Sequence, residues 1–111
     1  MNLDLYKHIY LIGVGGIGMS ALARYFNSKG KVVCGYDKVK SELCIELETE
    51  GINIHYSDDV NEIPEPIKNA EFNDVLVIYT PAISSENKKL SFCTNKGFKV
   101  YKRAEVLGMI S

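Results

Sequence analysis

An open α/β sheet of about five parallel strands, wound with helices on both faces, is what three features of the sequence predict. An apolar run, His8-Ile9-Tyr10-Leu11-Ile12, ends in a glycine cluster that opens directly into a helical pattern. Three helical segments then each stop at a glycine, at Gly30, Gly51 and Gly97, and lead at once into an apolar run. A β-branched, almost uninterrupted stretch, Asp74-Val75-Leu76-Val77-Ile78-Tyr79, supplies a second central strand. Parallel neighbours need right-handed crossovers, so these units assemble into a Rossmann-like, doubly wound sheet.

Taken in order, residues 8–12 read as a central strand covered on both faces. A helix over about 16–29 places Met19, Leu22, Ala23 and Phe26 at i, i+3, i+4 and i+7, with Ser20, Arg24 and Asn27 off the stripe. Val32-Val33-Cys34 opens the second strand. Ser41 is the expected N-cap of a helix carrying Leu43, Cys44 and Leu47 on one face, and Ile52-Asn53-Ile54 follows as the third strand. Residues 57–73 hold Pro64 and Pro66 among scattered acids, which forbids a long helix and predicts a short helical turn or loop crossing to the fourth strand. The acids read as a solvated face. A helix over about 86–96, capped by Ser84 or Ser85, precedes Phe98-Lys99-Val100-Tyr101. Arg103 to Ile110 reads as a last helix with Val106, Leu107 and Ile110 apolar, running to the end of the chain without a stop signal.

The 111 residues suit one domain with a real core. Thirteen basic against fourteen acidic residues give a net charge of −1, which argues against a nucleic-acid footprint or a polybasic membrane anchor. No apolar stretch approaches the ~18 residues that span a bilayer, and the first residues do not read as a signal peptide. Cys34, Cys44 and Cys93 lack C-x-x-C spacing and read as reduced, buried thiols of a cytoplasmic protein, with no metal role expected.

The chemistry gathers where strands end. Gly13, Gly15 and Gly18 satisfy G-x-G-x-x-G between a strand and a helix. In that motif the first glycine allows a tight turn, the second lets the backbone approach a diphosphate, and the third lets helix and strand pack closely. The free amides of the following helical turn favour a phosphate. Ligands of open α/β sheets sit outside the carboxyl ends of the strands. That places the glycine loop 13–18 with residues 35–41, 55–58 and 80–87 around one nucleotide cleft. Asp37 falls about 20 residues beyond the loop, where a carboxylate accepts ribose hydroxyls or a base imide; a turn or capping role is the alternative. Thr80-Pro81-Ala82-Ile83 follows the fourth strand, with Thr80 closest to its end. His55 has no carboxylate at motif spacing and reads as a surface or core-edge histidine. No complete catalytic constellation, G-x-x-x-x-G-K-[ST] loop or metal cluster is present in the sequence.

The run Ile12-Gly13-Val14-Gly15-Gly16-Ile17-Gly18-Met19-Ser20-Ala21-Leu22-Ala23 closely resembles the opening of the UDP-N-acetylmuramate–L-alanine branch of the Mur ligase family. Gly35-Tyr36-Asp37, Ala82-Ile83 with Asn87, and Lys102-Arg103-Ala104-Glu105-Val106-Leu107 extend the resemblance at matching separations, over the whole chain from residue 7. The resemblance implies the first, Rossmann-like domain of a three-domain, cytoplasmic bacterial ligase of peptidoglycan synthesis. That domain would hold UDP-N-acetylmuramate, while ATP, Mg²⁺ and L-alanine would be engaged by central and C-terminal domains outside these residues. The ligase reaction passes through an acyl phosphate that the alanine amine attacks, so this segment alone is expected to bind and not to catalyse.

Carried over by position, Gly15, Gly16, Ile17, Gly18 and Met19 would line the diphosphate, with Gly13 and Ser20 at the ends of the loop. Asp37 would face the uridine, and Thr80, Pro81, Ala82 and Ile83 would flank the nucleotide. Three positions depart from the family pattern: Tyr36 for a frequent small serine, Thr80-Pro81 for a frequent Ser-Ser, and Lys88 for a common proline. Pro81 also removes a backbone donor. The alternatives are a nicotinamide- or adenine-nucleotide-binding module of the same fold, and the related ligase that recycles a murein tripeptide.

Overall fold

The computed structural model describes residues 3–57, 59–83 and 87–110. Five strands, β1 (His8–Ile12), β2 (Val32–Tyr36), β3 (Asn53–His55), β4 (Val75–Tyr79) and β5 (Lys99–Lys102), form one sheet in the order β3-β2-β1-β4-β5. Every pairing is parallel. The helices are α1 (Ile17–Ser28), α2 (Glu42–Thr49), α3 (Glu65–Lys68), α4 (Lys88–Asn95) and α5 (Arg103–Ile110). The α/β class and doubly wound topology expected from the sequence are those observed.

Side-chain alternation along the strands splits the core into two layers. Ile9, Leu11, Leu76 and Ile78 face α1, α2 and α5, where Met19, Leu22, Ala23, Phe26, Cys44, Leu47 and Val106 meet them. Tyr10, Ile12, Val75 and Val77 face the other way, onto Ile63, Ile67, Leu90, Cys93 and Phe98. The predicted stripe of α1 is therefore the buried one. Gly30, Gly51 and Gly97 follow α1, α2 and α4 at φ 80°, 95° and 82°, a conformation that ends a helix at little steric cost for glycine alone.

Several local expectations change. Ser20 is buried, because its hydroxyl donates to the Ile17 carbonyl at 2.9 Å and needs no water. Leu107 is exposed, while Val106 is buried in the core and half-buried Ile110 packs against it. Ser41 caps α2 as expected, accepting from the Cys44 amide. The cap of α4 is Asn87, whose Oδ1 accepts from the Lys89 and Leu90 amides; Ser84 and Ser85 lie outside the described residues. The stretch between β3 and β4 forms two 3-10 turns, Val60–Glu62 and Phe72–Asp74, around the four residues of α3. Ile63 and Ile67 are its buried anchors. All three cysteines are buried and unpaired. No helix among the described residues is long and apolar enough to cross a membrane.

Candidate functional site

Register aligns the strand ends. Ile12 pairs with Tyr36 on one side and Tyr79 on the other, Tyr36 pairs with His55, and Tyr79 pairs with Lys102. The next residues along each strand, Gly13, Asp37, Thr80 and Arg103, therefore leave the sheet on one level. Strand order reverses between β1 and β4, so the loops after these two strands part from each other, and a crevice opens there.

That crevice is a cleft of about 550 Å³ lined by Gly13, Gly16, Tyr36, Asp37, Lys38, Thr80, Ala82, Ile83 and Asn87. A shallower hollow of about 210 Å³, lined by residues 16–19, Thr80, Pro81, Ala82 and Arg103, adjoins it. Gly16, Thr80 and Ala82 belong to both. Gly13 adopts φ 94°, and a Cβ there would stand 3.2 Å from Thr80 Oγ1, so this glycine both makes the turn and keeps the two strand ends apart.

The hydrogen bonds of the glycine loop identify its free donors. The amides of Gly13 and Val14 donate to the Tyr36 carbonyl, that of Gly16 to the Gly13 carbonyl, and that of Gly15 to Asp37 Oδ2 at 2.8 Å. Gly16 caps α1 without a side chain, and the first turn carries no acid. The amides of Ile17, Gly18 and Met19 meet no acceptor among the described residues. Three unpaired donors at the positive end of a twelve-residue helix favour an anion.

Two glycines of the motif have roles other than those the pattern suggests. A Cβ on Gly15 would lie 2.7 Å from Asp37 Oδ2 and 2.9 Å from Cys44 Sγ, so this glycine admits the carboxylate that ties the loop to β2. A Cβ on Gly18 would collide with the Arg103 guanidinium, so this position clears space for a cation and not for a strand.

Of the residues expected at the site, Gly13, Gly16, Asp37, Thr80, Ala82 and Ile83 converge on the cleft, and Ile17, Gly18, Met19 and Pro81 on the hollow. Half-buried Gly15 and buried Ser20 line neither. The Met19 side chain is in the core, which leaves its backbone to line the hollow. Asp37 is already engaged, since Oδ1 accepts from the Val39 amide at 3.1 Å.

Residues 55–57 do not reach the cleft, because β3 is the edge strand farthest from the reversal point. Asp58 lies outside the described residues. Tyr56 instead donates its hydroxyl to Glu48, and His55 Nε2 lies 2.7 Å from the Tyr10 hydroxyl. Burial, with the charge of Lys89 second, lowers the His55 pKa to about 4 and keeps its imidazole neutral. Lys89 is itself buried and packs its ammonium 3.8 Å from the centre of the Tyr36 ring. Lys38 falls within the expected span 35–41, whereas the sequence reading missed Arg103, whose signal is its place at the carboxyl end of β5.

A second depression of about 630 Å³ lies at the opposite end of the sheet, against Leu5, Tyr6, Phe72, Asn73, Asp74, Gly97, Phe98 and Lys99. It sits at the amino ends of the strands, and no α-helix among the described residues begins on it. The chemistry for an anionic ligand is at the carboxyl ends.

A profile of the Mur ligase family, described as its catalytic domain, matches residues 8–111. The UDP-N-acetylmuramate–L-alanine ligase of Christiangramia forsetii is 52% identical over 110 residues, covering 99% of this chain and 24% of that protein. The chain thus spans about a quarter of the length of this curated relative. Among solved structures, the UDP-N-acetylmuramate-alanine ligase of Thermotoga maritima matches with a TM-score of 0.77 at 28% identity, over 90% of this chain and 21% of that one. The UDP-N-acetylmuramate:L-alanyl-gamma-D-glutamyl-meso-diaminopimelate ligase of Neisseria meningitides matches with a TM-score of 0.75 at 24% identity, over 94% of this chain and 31% of that one, and shares the fold. With the family profile matched along nearly all of its length, this chain belongs to the Mur ligase family.

Proposed function

We propose that this chain is the nucleotide-sugar-binding part of a cytoplasmic, bacterial UDP-N-acetylmuramate–L-alanine ligase of peptidoglycan synthesis, and that it holds UDP-N-acetylmuramate in the cleft between β1 and β4. The observation that carries this proposal is the set of three unpaired amides, at Ile17, Gly18 and Met19, on the hollow that adjoins the cleft at the strand-order reversal. They would donate to the diphosphate. Identity of 52% to a relative named for this substrate supports the choice of nucleotide sugar.

Gly13 and Gly16 would let the backbone approach the ligand, while Gly15 and Ser20 shape the loop from behind. Thr80, Pro81, Ala82 and Ile83 would form the opposite wall, with Thr80 supplying a hydroxyl. Asp37 would face the uridine while also holding the loop, because a carboxylate oxygen that accepts one hydrogen bond keeps capacity for another. Tyr36 is buried at the cleft floor beside it. Its ring occupies volume that the family's small serine would leave open.

We assign Mg²⁺ and ATP binding to parts of the intact ligase outside these residues, a reading supported by the absence from the glycine loop of the Lys-Ser/Thr pair of a triphosphate loop. Acyl-phosphate formation and attack by L-alanine are therefore assigned to further domains of the intact ligase, and the segment's role is to grip and orient the substrate.

Calorimetric titration with UDP-N-acetylmuramate, UDP and NAD tests this. Saturable heats with both uridine compounds and none with NAD are expected. Saturable NAD binding with silent UDP compounds would instead make the chain a dinucleotide-binding module.

A further inference from the structure

We propose that Arg103, the first residue of α5, is the side-chain cation of the hollow adjoining this cleft and meets the same phosphate group as the amides of Ile17, Gly18 and Met19. The proposal rests on the nucleotide-sugar assignment of the cleft and adds a residue to it. Both α1 and α5 cover the same face of the sheet, and both begin at the carboxyl ends of their strands. That arrangement brings the start of α5 beside the start of α1, with the Thr80–Ala82 turn between them on the wall of the hollow.

The guanidinium lies against Gly18 so closely that a Cβ there would collide with it, and a Cβ would also stand 3.2 Å from Arg103 Cδ. Gly18 is inside a helix and has no positive φ. Backbone conformation therefore does not require glycine here; the space for Arg103 does. Arg103 is partly buried, yet it makes no hydrogen bond or ion pair among the described residues. Glu105, two residues on, uses Oε1 to accept the Lys102 amide at 2.9 Å.

A cation at the positive ends of two helices is disfavoured by both dipoles. An anion in the hollow would reverse that balance, because it attracts the guanidinium and the free amides together. A guanidinium presents paired N–H donors that match two phosphate oxygens. The ligand class this selects is a phosphate or diphosphate ester, as in a nucleoside-diphosphate sugar.

The test is titration of UDP into the wild-type chain, Arg103→Gln, Gly18→Ala and the double variant, each at low and high ionic strength, with circular dichroism to verify folding. Gly18→Ala is compatible with the fold, since the colliding atom is the far end of a flexible side chain that can swing away. Each single variant should lose about tenfold or more in UDP affinity and show a flatter dependence on salt. The double variant should bind no more weakly than Arg103→Gln, because both changes remove one contact. Wild-type binding of UDP with unchanged affinity in Arg103→Gln, or with weakened affinity but unchanged salt dependence, would overturn the role of Arg103 and leave the cleft assignment standing. Absence of UDP binding by the wild type would overturn the cleft assignment itself.

Discussion

Gly15 donates its amide hydrogen to Asp37 Oδ2 at 2.8 Å, joining the turn after β1 to the end of β2. The other oxygen, Oδ1, accepts the Val39 amide, so one carboxylate fixes both loops on that side of the cleft. Asp37→Ala leaves the part-buried Gly15 amide unpaired, which costs about 1–3 kcal/mol, and hands the exposed Val39 amide to water. The expected outcome in thermal unfolding is a melting temperature several degrees lower, together with weaker UDP binding. Asp37→Asn keeps one acceptor and should fall between. Lost binding at an unchanged melting temperature would mean that Asp37 acts on the ligand alone.

The neighbouring glycines should separate by stability. Gly15→Ala drives a Cβ to 2.7 Å from Asp37 Oδ2 and 2.9 Å from Cys44 Sγ, both in packed surroundings. Overpacking of this kind costs about 1–3 kcal/mol, so a bulkier Val at this position would disturb the fold as well as the ligand site. Gly16→Ala meets only the Gly13 carbonyl oxygen, at 3.7 Å, and keeps an extended φ of −70°. Its stability should change by less than about 1 kcal/mol. Denaturant midpoints of the two variants give the comparison directly; equal losses would contradict the packing role of Gly15.

These two residues mark how much of the site was legible in the sequence. The glycine spacing located the turn, the helix start and the cleft correctly, because chain conformation and strand–helix order are local properties. The partners of Gly15 and Gly18 were not legible. Asp37 and Arg103 reach them from β2 and from β5, and only the sheet order and the level ends of the strands bring those segments together. The buried stripe of α1 was legible for the same local reason, as Met19, Leu22, Ala23 and Phe26 show. The exclusion of residues 55–57 from the cleft was not, since it depends on β3 taking the outer edge. The capping of α4 by Asn87 turned on the choice among adjacent polar residues, which propensity alone ranks almost equally.

Acid should destabilise the fold through His55. Its pKa is about 4 in the folded chain, below the ordinary 6.5, because burial and then the Lys89 charge disfavour the protonated ring. Unfolding releases the ring to bind a proton, so the unfolded state holds more protons between about pH 4 and 6.5. The stability from the neutral ring is complete above about 6.5 and is lost as the pH falls toward 4. Melting temperatures should decline across that window, and less steeply in His55→Gln. Proton NMR of the imidazole should give a midpoint near 4, whereas a midpoint near 6.5 would contradict a buried, neutral ring.

In the proposed complex the ligand sits on the unpaired amides of α1, opposite the loop that follows β4. Amide chemical shifts recorded while UDP-N-acetylmuramate is added to the isotope-labelled chain test it most directly. The largest displacements are expected at Ile17, Gly18 and Met19, with smaller ones at Thr80, Ala82 and Ile83. Largest displacements around Tyr6, Phe72 and Phe98, at the other end of the sheet, would contradict it.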